Sequence, residues 1–243
     1  MTVICITQAR MNSSRLPGKI LKKINAIPLI EYHCVRVARS QKVDLHIIAT
    51  TNSEMDKACV DYCESKNLNY FCGSEKDVLE RFYMAAKTFG AANEDLIVRL
   101  TADCPLIAPE LIDAVITAHQ KKQSKTYSRL SLEHFPRGFD VEVFSMSTLR
   151  QAYEKSSSEF EREHVTPFMY KPEFSKSVQT ITIGDKKWAD IRLCVDQLED
   201  FKLLEQLLLH YKNDWQDVKY TAICQYMLAN PELMSINAKV QQK

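Results

Sequence analysis

Apolar positions along the chain fall into short runs that alternate with helical stripes. Thr2 to Thr7 is an almost unbroken apolar run, the pattern of a strand buried on both faces. Pro28 opens a helix that places Ile30, Cys34 and Val37 on one side. Leu45 to Thr50 is a second strand. Ser53-Glu54-Met55-Asp56 has the form of a capping box, ahead of a stripe made by Met55, Ala58, Cys59, Tyr62 and Cys63. Asn69 to Cys72 is a short strand, followed by Gly73-Ser74. Val78, Leu79, Phe82, Ala85, Ala86 and Phe89 then make an amphipathic helix closed by Gly90. Leu96 to Leu100 is the next strand, and Pro109 starts a helix with Leu111, Ile112, Val115 and Ile116 on its face. This alternation predicts an α/β fold, a mostly parallel sheet with helices on both faces in three layers.

The rhythm breaks between about 120 and 190. Lys121 to Arg129 is polar, and Asp140 to Phe144 and Ser177 to Ile183 alternate like half-buried strands. The charged stretch Glu159-Phe160-Glu161-Arg162-Glu163-His164-Val165 lies between them. An insertion of this kind carries specificity or an interface. Strand and helix patterns then return, with Ile191 to Val195 as a strand ending at Asp196. A helix follows with Phe201, Leu204, Leu208 and Tyr211 toward the core, and a last one gathers Tyr220, Ile223, Cys224, Met227 and Leu228. Asn230-Pro231 stops it. One domain over 1–235, with a frayed tail over 236–243, accounts for the pattern.

Composition narrows the classes. Of 243 residues, 32 are basic and 31 acidic, so the net charge of +1 gives no global field for nucleic acid or a membrane surface. No apolar run approaches a membrane span, and no signal-type leader is visible, which predicts a cytoplasmic protein. The 8 cysteines are scattered through apolar patterns with no CxxC pair, which argues for core thiols rather than zinc or disulfides.

Local chemistry concentrates at three places. The stretch Gln8-Ala9-Arg10-Met11-Asn12-Ser13-Ser14-Arg15-Leu16-Pro17-Gly18-Lys19 leaves the C-terminal end of the first strand, where α/β folds hold phosphates. Small side chains there let backbone N–H groups approach an anion, and Arg10, Arg15 and Lys19 neutralise it. The stretch matches neither the nucleotide P-loop nor GxGxxG. Asp103 and Asp196 each lie just past a strand end. On one rim with the basic loop they would form a Mg²⁺ site against a polyphosphate; taken singly, either is equally a helix N-cap.

With these residues assembled, the sequence resembles the cytidylyltransferases, in particular the spore-coat polysaccharide branch related to the acylneuraminate and 3-deoxy-manno-octulosonate enzymes. The matching stretches, in order, are QARMNSSRLPGK, GSEKDVLERFYMAAK, IVRLTADCPLI, PRGFDVEVF, EREHVTPF and RLCVDQLEDF, spanning residues 8 to 201. The resemblance implies a nucleotide-diphospho-sugar transferase fold and transfer of CMP from CTP to an acidic sugar, with release of pyrophosphate. It implies that Ala9, Arg10, Ser13, Ser14, Arg15, Lys19, Asp77, Arg81, Thr101 and Asp103 bind the nucleotide. Arg15, Lys19, Asp103 and Asp196 would be catalytic, the two acids holding Mg²⁺. Arg137, Asp140, Arg162 and His164 would face the acceptor. A homodimer through the inserted segment is also implied.

Two departures stand out. Gln197-Leu198 replaces the usual Thr-Pro of the last stretch, which bears on the start of its helix. Asn25-Ala26 stands where a glycine is usual, and Asn tolerates a left-handed backbone. Neighbouring readings are a nucleotidyltransferase using UTP or dTTP, a GT-A glycosyltransferase, and a non-catalytic nucleotide-binding protein. The glycosyltransferase needs a DxD where this chain has Ala102-Asp103-Cys104.

Overall fold

A computed structural model describes residues 1–121, 126–174 and 177–241. Part of the polar stretch expected over Lys121–Arg129 and the last two residues of the tail lie outside the described residues.

Strand β1 (Val3–Gln8) is the axis of a seven-stranded sheet. After the first loop, a small hairpin of β2 (Lys23–Ile24) and β3 (Ile27–Pro28) turns at Asn25 and Ala26, with φ of 50° and 65°. Two successive left-handed residues are what a tight hairpin turn demands. Asn25 thus does what the missing glycine would, while Ala26 bears the strain. Helix α1 (Leu29–Val37) returns the chain to β4 (Leu45–Thr51), and α2 (Lys57–Ser65) to β5 (Asn69–Gly73). Helix α3 (Val78–Thr88) then crosses to β6 (Leu96–Thr101) on the other side of β1. Helix α4 (Pro109–Gln120) leads to β7 (Tyr127–Leu130), and β8 (Glu142–Ser145) is followed by α5 (Met146–Lys155) and α6 (Glu159–His164). Strand β9 (Val178–Ile181) forms the far edge, and α7 (Leu198–His210), α8 (Tyr220–Ala229) and α9 (Pro231–Ile236) close the chain.

Sheet order is β5-β4-β1-β6-β8-β7-β9. The first four strands are mutually parallel, β8 runs antiparallel to β6, and β9 pairs parallel with β7. The fold is therefore α/β with a mostly parallel sheet. One core packs α1, α4, α7 and α8 on one face through Val3, Cys5, Val98 and Leu100. A second packs α3 and α5 on the opposite face through Ile4, Ile6 and Ile97, and a third gathers Ala9, Ile20, Ile30, Ile48, Cys59 and Cys63 around α2. Odd and even residues of β1 thus enter different cores, which explains its unbroken apolar run.

Four local expectations change. Ser53 accepts from the Met55 amide at 3.3 Å, but Asp56 turns inward to the Thr51 hydroxyl and the Met11 amide instead of completing a capping box. Met55 is exposed, so it is not part of the stripe. Ile191 to Val195 forms no sheet strand; it is an extended segment with one bridge, Arg137 to Arg192. The chain end is not frayed at Asn237, which is buried and donates to Arg192 O and Asp200 Oδ1 at 3.1 and 2.9 Å.

Candidate active site

The order in which strands are added reverses between β1 and β6, which run parallel: β4 and β5 lie to one side of β1, β6 to the other. In open α/β sheets such a switch point leaves a crevice beyond the carboxyl ends of the strands. A cavity of about 470 Å³ opens there. Its wall includes Ala9, Arg10, Ser13, Ser14, Arg15 and Lys19 from the loop after β1, Arg81 from α3, and Thr101 and Asp103 from the end of β6. Arg137, Asp140, His164 and Asp196 line it as well.

The loop is shaped by its own backbone. Gly18 takes φ 67°, a left-handed conformation that suits glycine, and its amide donates to Met11 O at 2.9 Å. That closure delivers Lys19 inward, where its side chain is only 10% exposed. Lys19 Nζ donates to Asp103 Oδ2 at 2.7 Å, to Asp196 Oδ1 at 2.9 Å and to Val195 O at 2.7 Å. Asp196 also meets Arg15 at 3.1 Å and Arg192 at 2.7 Å. Burial works to discharge Lys19, but the two carboxylates outweigh it and raise its pKa. Burial likewise opposes ionisation of Asp103 and Asp196, and the facing cations still hold both carboxyls below the usual range.

Asp196 reaches this position without a sheet ladder. Val195 N donates to Asp103 O at 2.8 Å, and Leu193 N to Arg137 O at 2.7 Å, which stitches the segment to two loops. Gly138 (φ 108°) permits the approach, because a Cβ there would lie 2.7 Å from the Leu193 carbonyl carbon. Neither acid is a helix N-cap: Ala108 stands at that position before α4, and Gln197 caps α7 in a reciprocal capping box with Asp200, so the Gln-Leu departure preserves the helix start. Asp200 is buried and also accepts from Arg192.

Two expected site residues do not line the cavity. Asp77 caps α3 through the Glu80 amide at 2.8 Å, and its other oxygen accepts from Arg162 Nε at 2.7 Å. Arg162 further donates to Tyr153 O at 2.7 Å and lies over the Tyr153 ring. Both side chains are consumed in a clamp between α3 and α6, so Arg162 presents no free fork to an acceptor. The clamp fixes the helix that carries His164 to the cavity mouth. Directly after it, Val165 sits at φ 69°, ψ −56°, and the Thr166 amide donates to His164 O at 2.8 Å. A γ-turn of this hand is rare, and on a buried β-branched residue it costs about 1–3 kcal/mol.

Other lining residues escaped sequence reasoning, chiefly Gln8, Arg99 and Glu163. Arg99 interrupts the apolar run Leu96–Leu100, and a lone cation inside a central strand was the signal available. It pairs with Glu142, its cross-strand neighbour on β8, and donates to Gln8 Oε1 at 3.0 Å. Glu142 also accepts from the Tyr127 and Thr166 hydroxyls. Burial opposes both charges, yet the pairing holds Glu142 below and Arg99 above their ordinary values. Beneath the Asp103 loop, His33 Nδ1 meets Cys104 O at 3.0 Å and its Nε2 meets the Thr7 hydroxyl at 2.9 Å, which in turn meets His46. Burial lowers His33 to about 4 and His46 to about 3, so both rings are neutral.

Among the described residues no cluster of three or more His, Cys, Asp and Glu side chains could hold a metal by itself. Mg²⁺ asks less, one or two carboxylates completed by phosphate oxygens and water. Asp103 and Asp196 converge closely enough to share one ammonium group, and Cys104 Sγ approaches Asp103 Oδ1 at 3.6 Å. Two hard carboxylates beside a phosphate-type loop fit Mg²⁺. Lys19 lies between them, a bridge that the sequence reading did not foresee.

An α/β sheet with a basic loop and paired acids at its switch point is the architecture of a nucleotidyltransferase. The cytidylyltransferase family model matches residues 4–230, and the chain belongs to that family. It is 37% identical to an uncharacterized protein of Methanocaldococcus jannaschii, over all of this chain and 97% of the other. It is 30% identical to the spore coat polysaccharide biosynthesis protein SpsF of Bacillus subtilis, over 95% of each. A cytidylyltransferase structure from Leptospira borgpetersenii superimposes with a TM-score of 0.87 at 28% identity, covering 96% of this chain and 97% of that one.

Proposed function

We propose that the protein transfers CMP from CTP to a hydroxyl of an acidic sugar of the nonulosonic or octulosonic type, releasing pyrophosphate. The product would feed a cell-surface polysaccharide, a reading supported by the similarity to SpsF, whose name refers to spore coat polysaccharide. The observation that carries it is the convergence of Lys19, Arg15, Asp103 and Asp196 in a cavity that Arg137 and His164 also line.

Each group has a task in this reading. Arg10, Arg15 and Lys19 bind the triphosphate, and Arg15 and Lys19 offset the charge that grows on the leaving pyrophosphate. Ser13, Ser14 and Ala9 let the backbone approach the nucleotide. Asp103 and Asp196 would hold Mg²⁺, which when bound supplies charge neutralisation and polarises the α-phosphate. Arg137 is 40% exposed and touches Asp140 only at 3.5 Å, which leaves its guanidinium edge for an acceptor carboxylate. Arg81, buried on α3 and donating to Ser74 O, faces the nucleotide side. A homodimer contact through the inserted segment is part of the same reading; Tyr170, Val178 and Ile183 are exposed there. Light scattering near twice the 28.0 kDa chain mass checks it.

The test is pyrophosphate release with Mg²⁺, offering CTP, UTP, dTTP, ATP and GTP against a panel of acidic and neutral sugars that includes 3-deoxy-manno-octulosonate and N-acetylneuraminate. Release with CTP and an acidic sugar is expected. Release only with another nucleotide, or only with neutral sugars, contradicts the assignment.

A further inference from the structure

The strained turn at Val165 and the Arg162–Asp77 clamp lie on either side of a single cavity histidine. We infer that His164 is the base for the transfer, taking the proton of the attacking acceptor hydroxyl, and that Arg162 and Val165 are positioning residues that aim it. This goes beyond the proposed transferase reading and rests on it.

Four observations converge. First, α6 has only six residues and is held at both ends. Ser158 Oγ accepts from the Glu161 amide at 3.3 Å at its start, and Arg162 locks its flank to α3. Second, the helix is ended by a backbone geometry that a buried valine does not adopt by preference. Such strain persists where the surroundings over-determine it, and it gathers at sites where a side chain must be aimed. Third, the far side of the turn is pinned as well, because Val165 is fully buried and the Thr166 hydroxyl donates to Glu142 Oε1 at 2.8 Å. Fourth, among the described residues His164 is the one histidine that lines the cavity, and the Phe160 ring packs against it at 4.5 Å. An exposed imidazole on a short surface helix does not need three anchors to be tolerated. It needs them to hold one direction.

The step balances without any further reactant. The sugar O–H gives its proton to an imidazole nitrogen of His164 as its oxygen bonds to the α-phosphorus of CTP. The bond from the α-phosphorus to the bridging oxygen breaks, and pyrophosphate leaves with that electron pair. The imidazolium then returns its proton to solvent. Charged and titratable groups that share the cavity with His164 are Glu163 on its own helix, Arg10, Arg15 and Lys19 in the first loop, Arg81 on α3, Arg99 on β6, Asp103 and Cys104 after it, Arg137 and Asp140 before β8, and Cys194 and Asp196 before α7. Histidine is the side chain suited to accept a proton at neutral pH and release it again.

The experiment uses His164→Gln and Arg162→Lys in the full chain, with CTP, Mg²⁺ and the sugar of the panel above that the wild type turns over. CTP binding is measured separately by calorimetry. His164→Gln is expected to bind CTP as the wild type does, to lose about a hundred- to a thousandfold in kcat, and to lose the acidic limb of the pH–rate profile. Arg162→Lys is expected to lose roughly tenfold in kcat while keeping that limb, since the base is present but poorly aimed. Wild-type kcat in His164→Gln, or an acidic limb retained in it, overturns the base assignment while leaving the transferase reading intact. Wild-type kcat in Arg162→Lys overturns the positioning role alone. Absence of pyrophosphate release by the wild type with every nucleotide and sugar overturns the transferase reading, and the base with it.

Discussion

The two halves of the sheet solve the same problem by different means. On the β5-β4-β1-β6 side, strands are parallel, connections are helices, and the phosphate-type loop follows directly from a strand end. On the β8-β7-β9 side, directions mix, and the cavity wall is held by pairs far apart in sequence. Arg99 with Glu142 and Arg162 with Asp77 are such pairs. Residues of the first half stand at strand ends, with Lys19 tying Asp103 to Asp196, whereas the second half is tied to the first by Arg99–Glu142 and Arg162–Asp77, so the two respond differently to substitution.

The largest effect is expected on the regular side. Asp103→Asn keeps the shape and the contact with Lys19 but removes the charge. Turnover falls by roughly a hundred- to a thousandfold, while far-ultraviolet circular dichroism is unchanged and stability falls only modestly, because Lys19 keeps Asp196 as its counter-charge. A steady-state assay beside a denaturant titration checks both parts; near-normal turnover would break the link between the paired acids and the chemistry.

The irregular side should fail in stability instead. Glu142→Gln leaves Arg99 buried without its counter-charge, and breaking a buried pair from one side costs about 3–5 kcal/mol. Urea unfolding with matched slopes measures it. A loss below about 1 kcal/mol would mean that the pair is as weak as a surface bridge.

Acid sensitivity separates the halves again, since His33 and His46 both lie on the regular side. Their folded values, about 4 and about 3, are below the ordinary histidine value of 6.5. The unfolded chain therefore binds more protons as pH falls, and stability declines from about pH 6.5 downward. His33 alone accounts for about 3 kcal/mol by pH 4. Unfolding free energies at pH 7, 5.5 and 4 test this; a flat profile between 7 and 5 contradicts it.

How much of this was legible in the sequence follows the same divide. The parallel strands and the helices between them were readable because burial on two faces imposes a local period, from Ile4 and Ile6 to Leu111 and Val115. Arg10, Arg15, Lys19 and Asp103 were readable because each follows a strand end. Asp196 was found for a partly wrong reason: it is held by hydrogen bonds between loops and not by a strand. Asp77 and Arg162 were individually conspicuous, yet their sequence separation hid the fact that they neutralise each other. Arg99 was the opposite case, a cation inside an apolar run whose partner lies across the sheet. The turn at Val165 has no sequence signal, because valine is an unfavourable residue for that geometry and only the surrounding contacts impose it.

The smallest effect sharpens the same contrast on the regular side. Ala26→Gly relieves a left-handed alanine in the β2–β3 turn and should raise stability by about 0.4–1 kcal/mol, with turnover unchanged. Thermal unfolding is sensitive enough to read it, and a destabilisation would show that the turn is held by something other than its backbone preference.

The most direct measurement of the central claim is a ³¹P nuclear magnetic resonance time course with CTP, Mg²⁺ and the acidic sugars of the panel. The account predicts that CTP is replaced in equal amounts by pyrophosphate and a single phosphodiester signal, the mark of attack at the α-phosphorus. Formation of CDP and inorganic phosphate, or CTP that persists unchanged with every sugar, would contradict it.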